Sequence, residues 1–259
     1  MAITLDGTSG INTPNNFAYK NLLIDAGFTI NQRAYVSAAT LASGVYGHDR
    51  WKAGASGGDY SFTQLASNTQ ITIASGKSLI QVVEDKNVSG TSYVLSWEGT
   101  AQARYAVNSA TPAGSYAASP IVITGQTAGS TMSVEFNTGT LSKPQLELGA
   151  VATSFDQRAY GTELALCQRY YQASRRYHAG CSTSSQDMTW LLPVFMRSAP
   201  TVLVVDFVGN VNKLTTSSGN NIAFNAGGVS TTTDSIIIQS NTLSAYVWYE
   251  FYTSLSAEL

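Results

Sequence analysis

Tyr46, Asp49, Arg50, Trp51 and Tyr60 flank a glycine-rich loop, Gly54-Ala55-Ser56-Gly57-Gly58. Aromatic rings beside Asp and Arg are the chemistry of a sugar platform: a ring face packs on sugar C–H groups while charged and amide groups fix the hydroxyls. Tyr46, Asp49, Arg50 and Tyr60 are therefore the candidate ligand-binding residues. The same segment has a second reading, in which Trp51 is core and Arg50 is a partner for Asp49. Carboxylates raise a different chemistry. A glycosidase needs two of them about 5–10 Å apart across a cleft, and Glu98 and Glu135 could face outward on neighbouring strands. With 16 acidic residues in the chain, such a pair arises by chance on any sheet, so both read as solvated surface. No G-x-S-x-G elbow and no G-x-x-x-x-G-K-[ST] loop occurs. The expectation is a binding protein with no catalytic residue and no cofactor.

The elements that would position these residues are strands. Charged residues make up 12% of the chain, about half the usual ~25% share, and small polar residues and 14 Tyr fill the gap. That composition suits strands and turns, not solvent-exposed helices, which want Lys and Glu. From Phe17 to Phe155 short β runs alternate with turn residues: 19–24, 46–53, 60–65, 70–74, 78–84, 93–98, 102–107, 121–124, 131–136 and 144–148. Strands at this spacing, with no helices between them, predict an antiparallel sandwich or jelly roll. Period-two alternation puts Tyr93, Leu95, Trp97, Met132, Val134 and Phe136 in its core, with Ser96, Glu98, Ser133 and Glu135 outward.

Between Lys143 and Gln172 the pattern changes. A strand breaks at Gly149 and gives way to a short amphipathic helix, with Leu164, Cys167, Gln168 and Tyr171 at i, i+3, i+4 and i+7. β runs follow at 188–195, 200–208, 222–225, 235–240 and 245–252, and the apolar Val202–Val205 predicts a strand covered on both faces. The expected organisation is all-β: an arm over 1–16 with one short strand at Ile3–Leu5, a jelly-roll domain over 17–158, and a short helix plus a smaller β domain over 159–259. In the last of these, alternation cannot bury both Trp248 and Tyr249 on one sheet face, so one set of aromatics is exposed or meets another chain. With charges this sparse, a symmetric homo-oligomer is the economical expectation.

Several classes are excluded. Net charge is −2, and Arg175-Arg176 is the only adjacent basic pair, too little to track phosphates. No apolar stretch reaches the eighteen or so residues a membrane span needs. Met1-Ala2-Ile3-Thr4 lacks the basic start of a signal peptide, so folding in a cytosol is expected. Cys167 and Cys181 then read as small buried hydrophobes. His48 and His178 stand far apart and no CxxC occurs, which leaves zinc without a signature.

The run KPQLELGAVATSFDQRAYGTELALCQRYYQ (143–172) resembles the C-terminal region of tailed-bacteriophage fibre proteins, where a carbohydrate-binding-module-like jelly roll ends in a QLELG..AT.F..R.Y..EL.LCQRYY pattern before a small β domain. The opening ITLDGTSGI, the segments NLLIDAGFTINQRA and YGHDRW, and the closing LLPVFMRSAPTV and YEFYTSLSAEL are similar to other parts of such proteins. The resemblance implies a virion surface protein, assembled in the host cytoplasm, that is a homotrimer, docks on other virion proteins and binds host-surface glycans. A capsid decoration or head fibre with a display role is the alternative. No coiled-coil heptad is present, so the long shaft of a fibre is missing. Related jelly rolls often hold a structural calcium. Asp25, Asp49, Glu147 or Asp156 could supply oxygens, but no D-x-D-x-D loop supports it.

Overall fold

The computed structural model describes residues 4–6, 10–12, 20–63, 68–178, 186–216, 219–223, 229–240 and 249–259. The chain divides into two compact units, Met1–Glu163 and Leu164–Leu259. It opens with a hairpin of β1 (Thr4–Asp6) and β2 (Gly10–Asn12), so the arm contains a second strand where only turn residues were expected.

The first unit then runs through β3 (Lys52–Ala53), β4 (Tyr60–Phe62), β5 (Ile71–Ile73), β6 (Leu79–Val83), β7 (Tyr93–Glu98), β8 (Ala103–Ala106), β9 (Ala113–Ala117), β10 (Ile121–Ile123), β11 (Met132–Phe136) and β12 (Gly139–Leu148). These form two antiparallel five-stranded sheets, ordered β10-β7-β12-β5-β4 and β3-β6-β11-β8-β9. From β5 onward the chain crosses from sheet to sheet at nearly every connection, which makes a jelly-roll sandwich. Its two layers meet where the alternation places them. Trp97 of one sheet stands edge-on to Phe136 of the other, ring centres 5.2 Å apart at 84°, a favoured aromatic geometry. Tyr93, Leu95, Met132 and Val134 are buried with them. Gly149 closes β12 at φ 115°, a conformation that L side chains rarely adopt.

Three expectations for this unit need correction. Residues 20–24 are not a strand, and positive φ at Asp25 and Phe28 turns the chain just after them. The segment is held instead by Leu22 N–H on Leu146 C=O and by the Gln81 amide, which bonds both N–H and C=O of Ile24. Ser133 and Glu135, expected outward and solvated, are buried. And β9, Ala-Gly-Ser-Tyr-Ala, is a strand whose composition reads as a turn.

The helix α1 (Tyr160–Gln168) spans the division between the units. It stops before Tyr171, which already belongs to a strand, and Tyr170 is the buried tyrosine of the pair. Cys167 is buried; Cys181 lies outside the described residues. The second unit contains β13 (Tyr171–His178), β14 (Gln186–Leu191), β15 (Thr201–Val205), β16 (Lys213–Thr216), β17 (Gly219–Ala223), β18 (Val229–Thr231), β19 (Ser235–Ser240) and β20 (Tyr249–Ser256). One sheet runs β13-β20-β16-β17, with β15 also paired to β20, and the other runs β14-β19-β18. Val204, Leu214, Ile238 and Phe251 form one core cluster, and Trp190 meets Phe251 edge-on at 5.4 Å. The Val202–Val205 run is not covered on both faces: Val204 is buried while Leu203 is 44% exposed. Trp248 and the Tyr249 side chain lie outside the described residues, but the next pair shows the predicted split, with Phe251 buried and Tyr252 44% exposed.

Candidate functional site

The Tyr46–Tyr60 segment is brought together, but as core. Trp51 stacks on Phe28 at 4.9 Å and donates its indole N–H to the Asp25 carbonyl. The Tyr60 hydroxyl bonds His48 Nδ1 at 2.7 Å and accepts the His48 backbone N–H. Burial pushes the Tyr60 phenol well above its ordinary range. Asp49 accepts from Gln32 N–H and pairs with Arg33 at 3.4 Å, and Arg50 Nη2 donates to the Val82 carbonyl. Asp49, Arg50 and Tyr60 are each 2% exposed or less, so they offer a ligand no face. That corrects the platform reading for these three. Tyr46 alone is partly open, and the Arg33 guanidinium lies 4.9 Å from its ring centre.

The candidate calcium ligands do not form a cation site. Asp25 Oδ1 accepts the N–H groups of Thr29 and Ile30. Glu147 accepts Thr153 N–H and Oγ1–H and pairs with Lys20, and Asp156 accepts Asn21 N–H. Among the described residues no three His, Cys, Asp or Glu side chains are placed to hold a metal. Glu98 and Glu135 do not face a common cleft. Glu98 is exposed beside Lys143 on β7, whereas Glu135 lies on β11 of the other sheet.

Glu135 belongs to a different site. Register places Arg104 of β8 directly opposite it, and Arg104 Nε donates to Glu135 Oε2 at 2.6 Å. Ser78, just before β6, donates to Oε1 at 2.6 Å. Tyr116 of β9 lies against the Arg104 guanidinium at 4.7 Å, a cation–π contact. Burial first, and then the charge of Glu135, raise the Tyr116 phenol pKa, and the hydrogen bond to Glu135 raises the Arg104 pKa further. Phenol and guanidinium both keep their protons and remain donors. Lys77, Ser78, Arg104, Tyr116, Glu135 and Asn137 line a pocket of about 270 Å³. Gly54 forms part of its support: a Cβ there would stand 2.0 Å from Ser78 Oγ and 2.9 Å from Glu135 Oε1. A wider groove of about 410 Å³ over β4 and β5 is lined by Ser, Thr, Gln and Phe62, with no charged group.

The sequence reading missed Lys77, Ser78, Arg104, Tyr116 and Asn137. The one available signal was a mid-strand Arg and a mid-strand Glu in a chain poor in charge. Tyr116 had none, because its strand was not foreseen.

The second unit has a groove of about 420 Å³ along β13, β15 and β20, lined by Tyr171, Ala173, Arg175, Val205, Tyr252 and Ser254 among others. Arg175 pairs with Glu250 and covers the Phe207 ring at 4.9 Å.

No family model and no curated protein matches this chain. Among solved structures it is similar to discoidin II of Dictyostelium discoideum, at 11% identity over 93% of this chain and 92% of that one, with a TM-score of 0.17. It is also similar to HutD of Pseudomonas fluorescens, at 10% identity over 76% and 93% of the two chains, with a TM-score of 0.15. TM-scores this low carry no argument about ligand or mechanism.

Proposed function

We propose that this protein is a non-enzymatic surface protein of a tailed-bacteriophage particle whose jelly roll binds glycans on the host surface. The observation that carries the binding role is the Arg104–Glu135 pocket. It is concave and polar, and it is walled by an aromatic ring beside an ion pair whose carboxylate is buried and whose guanidinium is partly open, the combination that orients a hydroxyl-rich ligand. The virion setting rests on the sequence resemblance over 143–172. Self-association is supported by the exposed Leu203 and Tyr252 of the second unit, and three as the number of chains rests on the same sequence resemblance. One sugar pocket binds weakly, and three on one particle gain through effective concentration. The test is retention of the full chain on immobilised bacterial surface polysaccharides, with reducing ends assayed in the same samples. Retention without release of reducing ends supports the proposal. Release of reducing ends contradicts its non-enzymatic part, and absence of retention on any polysaccharide contradicts the binding role.

A further inference from the structure

The polar groups of the Arg104–Glu135 pocket are unequally satisfied. Both oxygens of the Glu135 carboxylate are engaged, Oε1 by Ser78 and Oε2 by Arg104 Nε, and the residue is 3% exposed. It acts as the support that fixes Arg104. The donors around it have capacity left. Among the described residues the terminal nitrogens of Arg104 have one long hydrogen bond, Nη1 to the Gly114 carbonyl at 3.5 Å. Lys77 Nζ bonds the Ser56 carbonyl at 2.9 Å and stands 3.7 Å from Asp59, so it retains N–H groups. Asn137 spends its Oδ1 on Gln102 N–H, while its Nδ2 donates to no described residue. Two cations and one committed carboxylate line the space. Asp59 beside Lys77 balances the second cation, so what a ligand entering the space meets is a set of hydrogen-bond donors, two of them on cationic side chains.

We infer that the pocket selects a sugar bearing a carboxylate, a hexuronate unit of an acidic polysaccharide. The carboxylate is received by Arg104 and Lys77, and Asn137 Nδ2 donates to a neighbouring sugar oxygen. The planar fork of a guanidinium suits a carboxylate, and charge-assisted hydrogen bonds are roughly twice as strong as neutral ones. A neutral sugar would meet the remaining N–H groups of both cations with uncharged acceptors only. The volume of about 270 Å³ lies just below the range of roughly 300–1,000 Å³ for drug-sized sites, which suits one sugar unit. The inference rests on the glycan-binding reading and narrows it.

Titration calorimetry of the full chain tests it, with a hexuronate oligosaccharide, a neutral hexose oligosaccharide of the same length, and a hexose phosphate as ligands. The uronate should bind about 10-fold or more tighter than the neutral sugar at low salt, and that ratio should shrink toward one near 0.5 M NaCl as the contacts of its carboxylate with Arg104 and Lys77 are screened. Lys77→Gln, at a partly exposed side chain, should lower the ratio by weakening the uronate more than the neutral sugar. Equal affinity for uronate and neutral sugar at low salt overturns the acidic selection while glycan binding stands. Tighter binding of the hexose phosphate than of the uronate overturns the choice of carboxylate. No binding of any of the three overturns both readings.

Discussion

Arg104 and Glu135 face each other across paired strands of one sheet, with Nε and Oε2 2.6 Å apart and the carboxylate 3% exposed on its side chain. A charge that deep is tolerated only while its partners hold it. Arg104→Ala should cost about 2 kcal/mol of stability, with Ser78 still bonded to the carboxylate. Adding Glu135→Gln to that variant should recover part of the loss by removing the stranded charge. Chemical denaturation of the two single variants and the double variant measures the coupling. Strictly additive losses would show that the pair does not act as a unit.

The core of the jelly roll was legible because its signal is local. Trp97 and Phe136 alternate with polar neighbours, and period two is enough to turn both inward. The site was not legible, for three physical reasons. The direction of Glu135 followed from alternation, but its burial depends on Arg104, Ser78 and Tyr116, which arrive from other strands and one turn. Tyr116 sits on a strand built of Ala, Gly and Ser, whose pairing comes from the neighbouring sheet edge and not from propensity. Tyr60 looked like a sugar platform because an aromatic ring near a glycine loop has the same local sequence whether it faces water or a buried histidine. Phe251 and Tyr252 were the favourable case, since adjacent aromatics on one strand must part to opposite faces.

Asp25 gives a pH dependence. It is fully buried, and desolvation first, with the charges of Asp49 and Glu163 adding to it, pushes its carboxyl well above the ordinary carboxylate range despite N–H groups from Ile30 and Thr29. The folded chain thus keeps a proton that the unfolded chain releases above about pH 4. Wherever the native state binds more protons, stability falls as pH rises. The loss should run from the unfolded carboxylate's range up toward the raised folded value. Asp25→Asn, which retains an acceptor for Thr29 and Ile30, should remove this component. Its melting temperature relative to the parent should climb from pH 4 to pH 8. A constant difference across that range would contradict the assignment.

Leu203 and Tyr252 share the outer face of the β13-β20-β15 layer, each 44% exposed. On the proposed trimer this face is an interface. Leu203→Asp combined with Tyr252→Asp should convert an assembly of three 27.5 kDa chains into monomers with little change in the melting of the first unit. Sedimentation velocity reads the result. A monomeric parent would contradict the trimer, and a double variant that stays trimeric would place the interface elsewhere.

The central claim is that the Arg104–Glu135 pocket, and not the set Tyr46, Asp49, Arg50 and Tyr60, is where the jelly roll meets a glycan. Two tyrosines separate these alternatives. Tyr116 walls the pocket beside Arg104, and Tyr46 is the partly open residue among the other four candidates. The deciding measurement is binding of the parent chain, Tyr116→Ala and Tyr46→Ala to the same bacterial polysaccharide, each confirmed folded by its melting curve. Loss of an aromatic wall is worth on the order of 1 kcal/mol per site, and a multivalent particle amplifies it. The account predicts that Tyr116→Ala binds at least about 5-fold more weakly while Tyr46→Ala binds like the parent. Unchanged binding by Tyr116→Ala, or a loss confined to Tyr46→Ala, would contradict it.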